Sequence, residues 1–239
     1  MRQAALQLLR SRSAKLLLVI YDCDGVLIDS EPVANRVCAE EISILGWPMT
    51  AAESHARFLG MSLSDMVPIV QAELGRPVPV EWVPYLADRL VQALGQEAVL
   101  MDGAEATLHA TSALGLDWRI ASNSGPDELA AKFTRTGLSA LVAGRVHSAS
   151  EVIARGGRGK PFPDLFLAAA AASGVAPEAC VVVEDSVTGM RAARAAGMTC
   201  LAFAPDGHNA EIASAEIAAL GAAPVVSLHH LAELFGAVI

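Results

Sequence analysis

The sequence predicts an α/β fold, a parallel sheet flanked by helices, with a small all-helical segment inserted after the first strand. Three observations carry that expectation. Short apolar runs of strand length recur along the 239 residues. Helix-like stretches with recognisable start and stop signals separate most of them. One long interval near the start breaks the alternation. Strand alternating with helix is the signature of an open α/β sheet.

The strand-like runs are LLLVIY (16–21), WRIAS (118–122), ALVAG (140–144), CVVVED (180–185), TCLAFA (199–204) and PVVSL (224–228). They are apolar on both faces, as strands are when helices cover both sides of a parallel sheet. DELAAKFTRTG (127–137) follows Gly125-Pro126 and stops at Gly137, and PDLFLAAAAASG (163–174) opens on proline and closes on glycine. SVTGMRAARAAG (186–197) begins with a serine suited to capping and also ends in glycine. These are expected helix boundaries. Together they read as a Rossmann-like parallel sheet.

From about Pro32 to Val99 no buried strand is visible. Helical periodicity runs instead through NRVCAEEISILG, SLSDMVPIVQAELG and VPYLADRLVQALG. About 70 residues is far longer than an ordinary connection, which stays under roughly 15. The expected organisation is therefore an α/β core formed by 1–31 and 100–239, with 32–99 as a helical second domain. No internal repeat or low-complexity tract is present.

The net charge of -9 argues against DNA or RNA as the main partner. With 53% hydrophobic and 18% charged residues, a substantial core is expected. Cys23, Cys38, Cys180 and Cys200 show no CxxC pairing, which suggests buried free thiols in a reducing, cytoplasmic setting. No apolar stretch approaches the roughly 20 residues that span a bilayer, so no membrane partner is expected. The opening MRQAALQLLRSRSAK reads as a frayed or docked extension, with a weak amphipathic targeting segment as the alternative.

The chemistry concentrates at strand ends. VIYDCDGVLIDSEP (19–32) drives an apolar strand into Asp22 and Asp24. In extended chain, side chains at i and i+2 point the same way, so the two carboxylates converge. Such a pair repels or shares a proton, unless a hard cation such as Mg²⁺ joins it. A turn or helix cap reads the same residues without a metal. An EF-hand loop does not fit, because later ligand positions fall on Val26 and Val33.

IASNSG ends another strand on Ser122 and Asn123 before a helix start, which suits either an anion or plain N-capping. GGRGKPFPD places Lys160 in a proline-stiffened loop, either as a solvated lysine or as a site cation. It is no Walker loop, since Ala154 stands at the first glycine and Pro161 at the Ser/Thr position. VVVEDS ends a strand on a second acid pair, Glu184 and Asp185. Two acid pairs at strand termini are costly unless a cation lies between them.

In this order, DCDGVLIDSE, Ser122, Lys160 and EDS resemble the four motifs of the haloacid dehalogenase superfamily, over about Leu16 to Leu234. The helical insert resembles the cap of one subclass, which holds sugar-phosphate and phosphoglycolate phosphatases and β-phosphoglucomutase. The resemblance implies an Mg²⁺-dependent phosphatase acting on a small phosphorylated metabolite, a sugar phosphate or phosphorylated sugar acid. It implies Asp22 as nucleophile and Asp24 as general acid and base. Mg²⁺ would be held by Asp22, the Asp24 main-chain carbonyl and Asp185, with Glu184 as a further ligand or its partner. Ser122, Asn123 and Lys160 would grip phosphate, and the insert would close over the site. A monomer or weak homodimer is expected.

The alternatives are ordered by residues. Dehalogenases of the superfamily replace the second acid of the first motif, but Asp24 is present. Mutases carry a cap histidine, and a lysine and arginine around a cap loop; here the corresponding places are Ala34, Leu59 and Leu63. A phospho-acceptor domain would keep its acyl phosphate and lack the insert, and a dead binding module would not keep every motif residue. Arg57, Ser62, Ser64 and Asp65 read as surface or capping residues near the cap loop. His208, His229 and His230 read as loop residues without a role.

Overall fold

The computed structural model describes residues 2–58, 61–205 and 214–239. Leu59 and His208 lie outside the described residues. Along the chain the strands are β1 (Leu18–Tyr21), β2 (Ile28–Asp29), β3 (Val99–Leu100), β4 (Asp117–Ser122), β5 (Val146–Ser148), β6 (Cys180–Glu184), β7 (Thr199–Phe203) and β8 (Ala223–Val225). The helices of the first half are α1 (Arg2–Arg10), α2 (Glu31–Ile44), α3 (Ala51–Phe58), α4 (Leu63–Leu74), α5 (Trp82–Glu97) and α6 (Ala104–Ala113). Those of the second are α7 (Pro126–Arg135), α8 (Ser139–Val142), α9 (Ala149–Ala154), α10 (Asp164–Ala172), α11 (Val187–Ala195), α12 (Ser214–Ala219) and α13 (Leu231–Gly236).

Six strands form one sheet in the order β5-β4-β1-β6-β7-β8, every neighbouring pair parallel. This is the Rossmann-like α/β architecture the sequence predicts. The chain winds outward from β1 through β4 to β5, then crosses back to β6 and winds the other way. The reversal beside β1 is where open α/β sheets bind ligands, at the carboxyl ends of the strands.

The apolar runs are explained by two-sided burial. Leu18, Ile20, Val182, Cys200 and Ala202 join one core cluster with Leu165, Phe166 and Ala169 of α10 and Met190 and Ala193 of α11. The intervening Val19, Tyr21, Val181, Val183 and Leu201 are equally buried. On that side the Tyr21 hydroxyl shares a 2.7 Å hydrogen bond with the Thr111 hydroxyl of α6. Truncating a central residue such as Ile20 to alanine would cost about 3 kcal/mol, because the rigid sheet cannot collapse into the gap.

One strand expectation is corrected. Within ALVAG (140–144) the chain is helical, as α8, and turns at Gly144 before the true edge strand β5. A short apolar run fits a helical turn as well as a strand. β5 itself is half-exposed at Val146 and His147 and carries no apolar run to announce it. The N-terminal segment is docked: α1 buries Ala5 and Leu9 and contacts β7, β8 and α13. All four cysteines are buried and free. Among the described residues no helix is long and apolar enough to cross a membrane.

By internal contacts the chain divides into two units, 1–28 with 100–126 and 138–239, and 29–99 with 127–137. In the second unit α2 packs on α3 and α5, and α4 on α5. Trp82, Leu86, Leu90 and Leu94 recur every fourth residue and form the buried stripe of α5. Residues 127–137 group with this helical unit. Gly95 of α5 lets Ala131 of α7 approach, and buried Lys132 pairs with Glu128 at 2.8 Å. Ser62 caps α4 by accepting from the Asp65 amide, and Arg57 stacks on Trp47 at 4.8 Å, so both have structural work in this unit.

Candidate active site

The register of three strands assembles the site. Tyr21 of β1 is level with Ile120 of β4 and Val183 of β6. The next residues, Asp22, Ala121 and Glu184, therefore share one rung, and the Asp22 amide donates to Val183 O at 2.9 Å. Ser122 is the last residue of β4 and Glu184 the last of β6. Asp22, Ser122, Lys160, Glu184 and Asp185 are all buried. These residues thus gather at the carboxyl ends of β1, β4 and β6.

Past Asp22 the chain folds back on itself. The Leu27 and Ile28 amides both donate to Cys23 O at 2.9 Å, and the Gly25 amide donates to Ile28 O at 2.8 Å. Gly25 has φ 73°, a left-handed value that favours glycine, and a side chain there would collide with the Asp185 carboxylate. The glycine of Asp-x-Asp-Gly thus serves both the turn and the approach of the fourth acid.

The carboxylates divide into two sets. Asp22, Glu184 and Asp185 offer oxygens that all lie within 4.8 Å of one another. An all-oxygen, all-carboxylate donor set of this size fits a hard divalent cation such as Mg²⁺. The Asp24 carboxylate lies near enough to Asp22 to raise its pKa. It accepts hydrogen bonds from the Ser122 hydroxyl at 3.2 Å and the Ser124 hydroxyl at 2.9 Å.

Lys160 joins the two strand ends. Its ammonium lies 2.6 Å from Asp22 Oδ1 and 2.6 Å from Glu184 Oε1. Burial alone would lower its pKa, but the two carboxylates outweigh burial and hold it above the ordinary lysine range. Burial pushes the Asp22 carboxyl up to about 7; Lys160 opposes this, while Glu184 and Asp24 add to it. The second oxygen of Glu184 accepts from the Ser186 amide and hydroxyl at 2.9 Å each, and Ser186 also caps α11.

The Asn123 side chain is held by a neighbouring backbone. Its side-chain amide bonds the backbone of Lys160, accepting from the amide at 2.9 Å and donating to the carbonyl at 3.2 Å. Ser124 was missed by sequence reasoning. Its signal was available: Ser122 and Ser124 are an i, i+2 hydroxyl pair that mirrors Asp22 and Asp24. Ser148, at the end of β5, steadies the same loop by donating to Ser124 O at 2.7 Å.

The parallel sheet thus gathers acids and a buried lysine at the reversal of its strand order. Over residues 16–197 the sequence matches the haloacid dehalogenase-like hydrolases, and the chain belongs to that family. It is similar to the 6-phosphogluconate phosphatase of Escherichia coli, 28% identical over 200 residues, covering 83% of this chain and 87% of the relative. Hexitol phosphatase B of Escherichia coli is 29% identical over 206 residues, covering 83% and 89%. A family hydrolase from Deinococcus radiodurans, solved with bound phosphate and sodium, matches with TM-score 0.75 and 33% identity, covering 93% of this chain and 98% of its own.

Proposed function

We propose that this enzyme is a phosphoric monoester hydrolase that uses Mg²⁺ and an aspartyl-phosphate intermediate to cleave a small phosphorylated metabolite. The observation that carries the reading is the meeting of Lys160 with Asp22 and Glu184 beside Asp185, at the carboxyl ends of β1 and β6. Such a site balances a phosphoryl group arriving among carboxylates. The phosphatase names of the similar proteins support the same class.

In this reading the Asp22 carboxylate attacks phosphorus, and the bond to the leaving oxygen breaks. Asp24, oriented by Ser122 and Ser124, gives its proton to the departing alcohol. It then takes a proton from the water that attacks the acyl phosphate, which releases inorganic phosphate and restores Asp22. Lys160 and the Ser122 hydroxyl meet the charge that spreads over the non-bridging oxygens. Mg²⁺, held by Asp22, Asp185, the Asp24 carbonyl and Glu184 directly or through a partner, would offset repulsion between the anionic nucleophile and the anionic substrate.

A sugar phosphate or phosphorylated sugar acid is the proposed substrate, supported by relatives named for 6-phosphogluconate and hexitol phosphates. Its selection is assigned to the helical insert, 32–99. Phosphate release from a panel of phosphorylated sugars, sugar acids and polyols, with Mg²⁺ and with EDTA, tests both parts. Metal-dependent release from one of these classes is expected. No release under any divalent metal would remove the reading.

A further inference from the structure

The loop carrying Lys160, GGRGKPF (156–162), holds three glycines. Such a segment loses much conformational freedom when fixed, yet its lysine must hold an ammonium within hydrogen-bond reach of two carboxylates. The side chain of Asn123 supplies a fixed point. Its carbonyl oxygen accepts from the Lys160 amide and its NH₂ donates to the Lys160 carbonyl, across 37 positions of sequence. Donor and acceptor chemistry leave one orientation for the amide: a backbone N–H needs the oxygen and a backbone carbonyl needs the nitrogen. Gly159 makes room, since a Cβ there would stand 2.8 Å from Asn123 Oδ1.

We infer that Asn123 is a positioning residue: its side chain clamps the backbone of Lys160 and so places the ammonium between Asp22 and Glu184. The inference rests on the phosphatase reading for the role of Lys160 and gives the Asn123 side chain a task beside the phosphate contact expected of its amide region. The amide oxygen and one N–H are committed to the main chain of the residue that carries the charge.

A double-mutant cycle in kcat separates the two roles, using p-nitrophenyl phosphate and Mg²⁺ with wild type, Asn123→Ala, Lys160→Met and the double variant. Residues acting as one unit lose activity non-additively: about 100-fold for Lys160→Met and about tenfold for Asn123→Ala are expected, with the double variant within about threefold of Lys160→Met alone. A double variant about tenfold below Lys160→Met overturns the inference, because Asn123 would then act independently of the lysine. Asn123→Ala at wild-type kcat overturns it as well. Wild-type kcat in Lys160→Met removes the assigned role of Lys160 and the inference together, which distinguishes that failure from the others. Should Asn123→Ala not fold, Gly159→Ala takes its place in the cycle, because its added Cβ pushes the amide off Lys160 while Asn123 remains. The same non-additive loss is expected, and multiplied losses overturn the inference.

Discussion

Lys160 Nζ lies 2.6 Å from Glu184 Oε1, a fully buried carboxylate at the end of β6. With Asp22 at the same distance on the other side, one cation is shared by two acids. Removing one partner of a buried ion pair strands the other charges. Lys160→Met is expected to destabilise the metal-free protein by about 3 kcal/mol, with a smaller loss when Mg²⁺ is present. Urea melts in EDTA and in Mg²⁺ read both figures, and equal losses in the two buffers would contradict the shared-charge account.

The acid cluster predicts stabilisation by divalent metal. A ligand that binds only the folded state stabilises by mass action, about 2.7 kcal/mol at a hundredfold excess over its dissociation constant. Mg²⁺ should therefore raise Tm in the wild type, and Asp185→Asn should shrink that shift. A Tm indifferent to Mg²⁺, Mn²⁺ and Ca²⁺ alike would mean that Asp22, Glu184 and Asp185 hold no cation.

Ser124 is expected to matter through Asp24. Its hydroxyl donates to the Asp24 carboxylate at 2.9 Å, so Ser124→Ala should lower kcat by roughly tenfold and displace the acidic or basic limb of the pH–rate profile. Ser124→Thr, which keeps the hydroxyl, should restore both. A profile of unchanged shape in Ser124→Ala would assign the serine to loop structure alone.

The buried thiols set a pH dependence. Burial pushes Cys38 and Cys180 up to about 11 and raises Cys200 as well. The unfolded chain ionises its thiols near about 8.5, whereas the folded chain keeps them protonated. Their contribution is complete below that value and is lost as pH rises toward 11. Unfolding free energy should fall between about pH 8.5 and 11, and Ellman's reagent should label the native protein slowly at about pH 7.5. Rapid labelling at neutral pH, or a flat stability curve, would contradict this burial.

Much of the architecture was legible because it follows from local chemistry. The strands at LLLVIY, WRIAS and CVVVED are apolar on both faces, and the acids that end two of them stand out against that background. Asp22, Ser122, Lys160, Glu184 and Asp185 could be named for the same reason: each is a polar break at a strand end or in a stiffened loop. Properties set by tertiary partners were not legible. ALVAG became a helical turn because a short apolar run has no periodicity to decide it. The commitment of Asn123 to the Lys160 backbone depends on a contact across 37 positions, which no local pattern announces. The grouping of 127–137 with the helical unit depends on packing such as Ala131 against Gly95.

The central claim is a phosphoryl group carried on Asp22, and chemical trapping tests it most directly. The enzyme is acid-quenched during turnover of p-nitrophenyl phosphate with Mg²⁺, reduced with borohydride, digested and sequenced by mass spectrometry. The account predicts homoserine at position 22, the product of reducing an acyl phosphate, and none in an Asp22→Asn control. Phosphate release with position 22 unmodified, or modification at another acid, would contradict it.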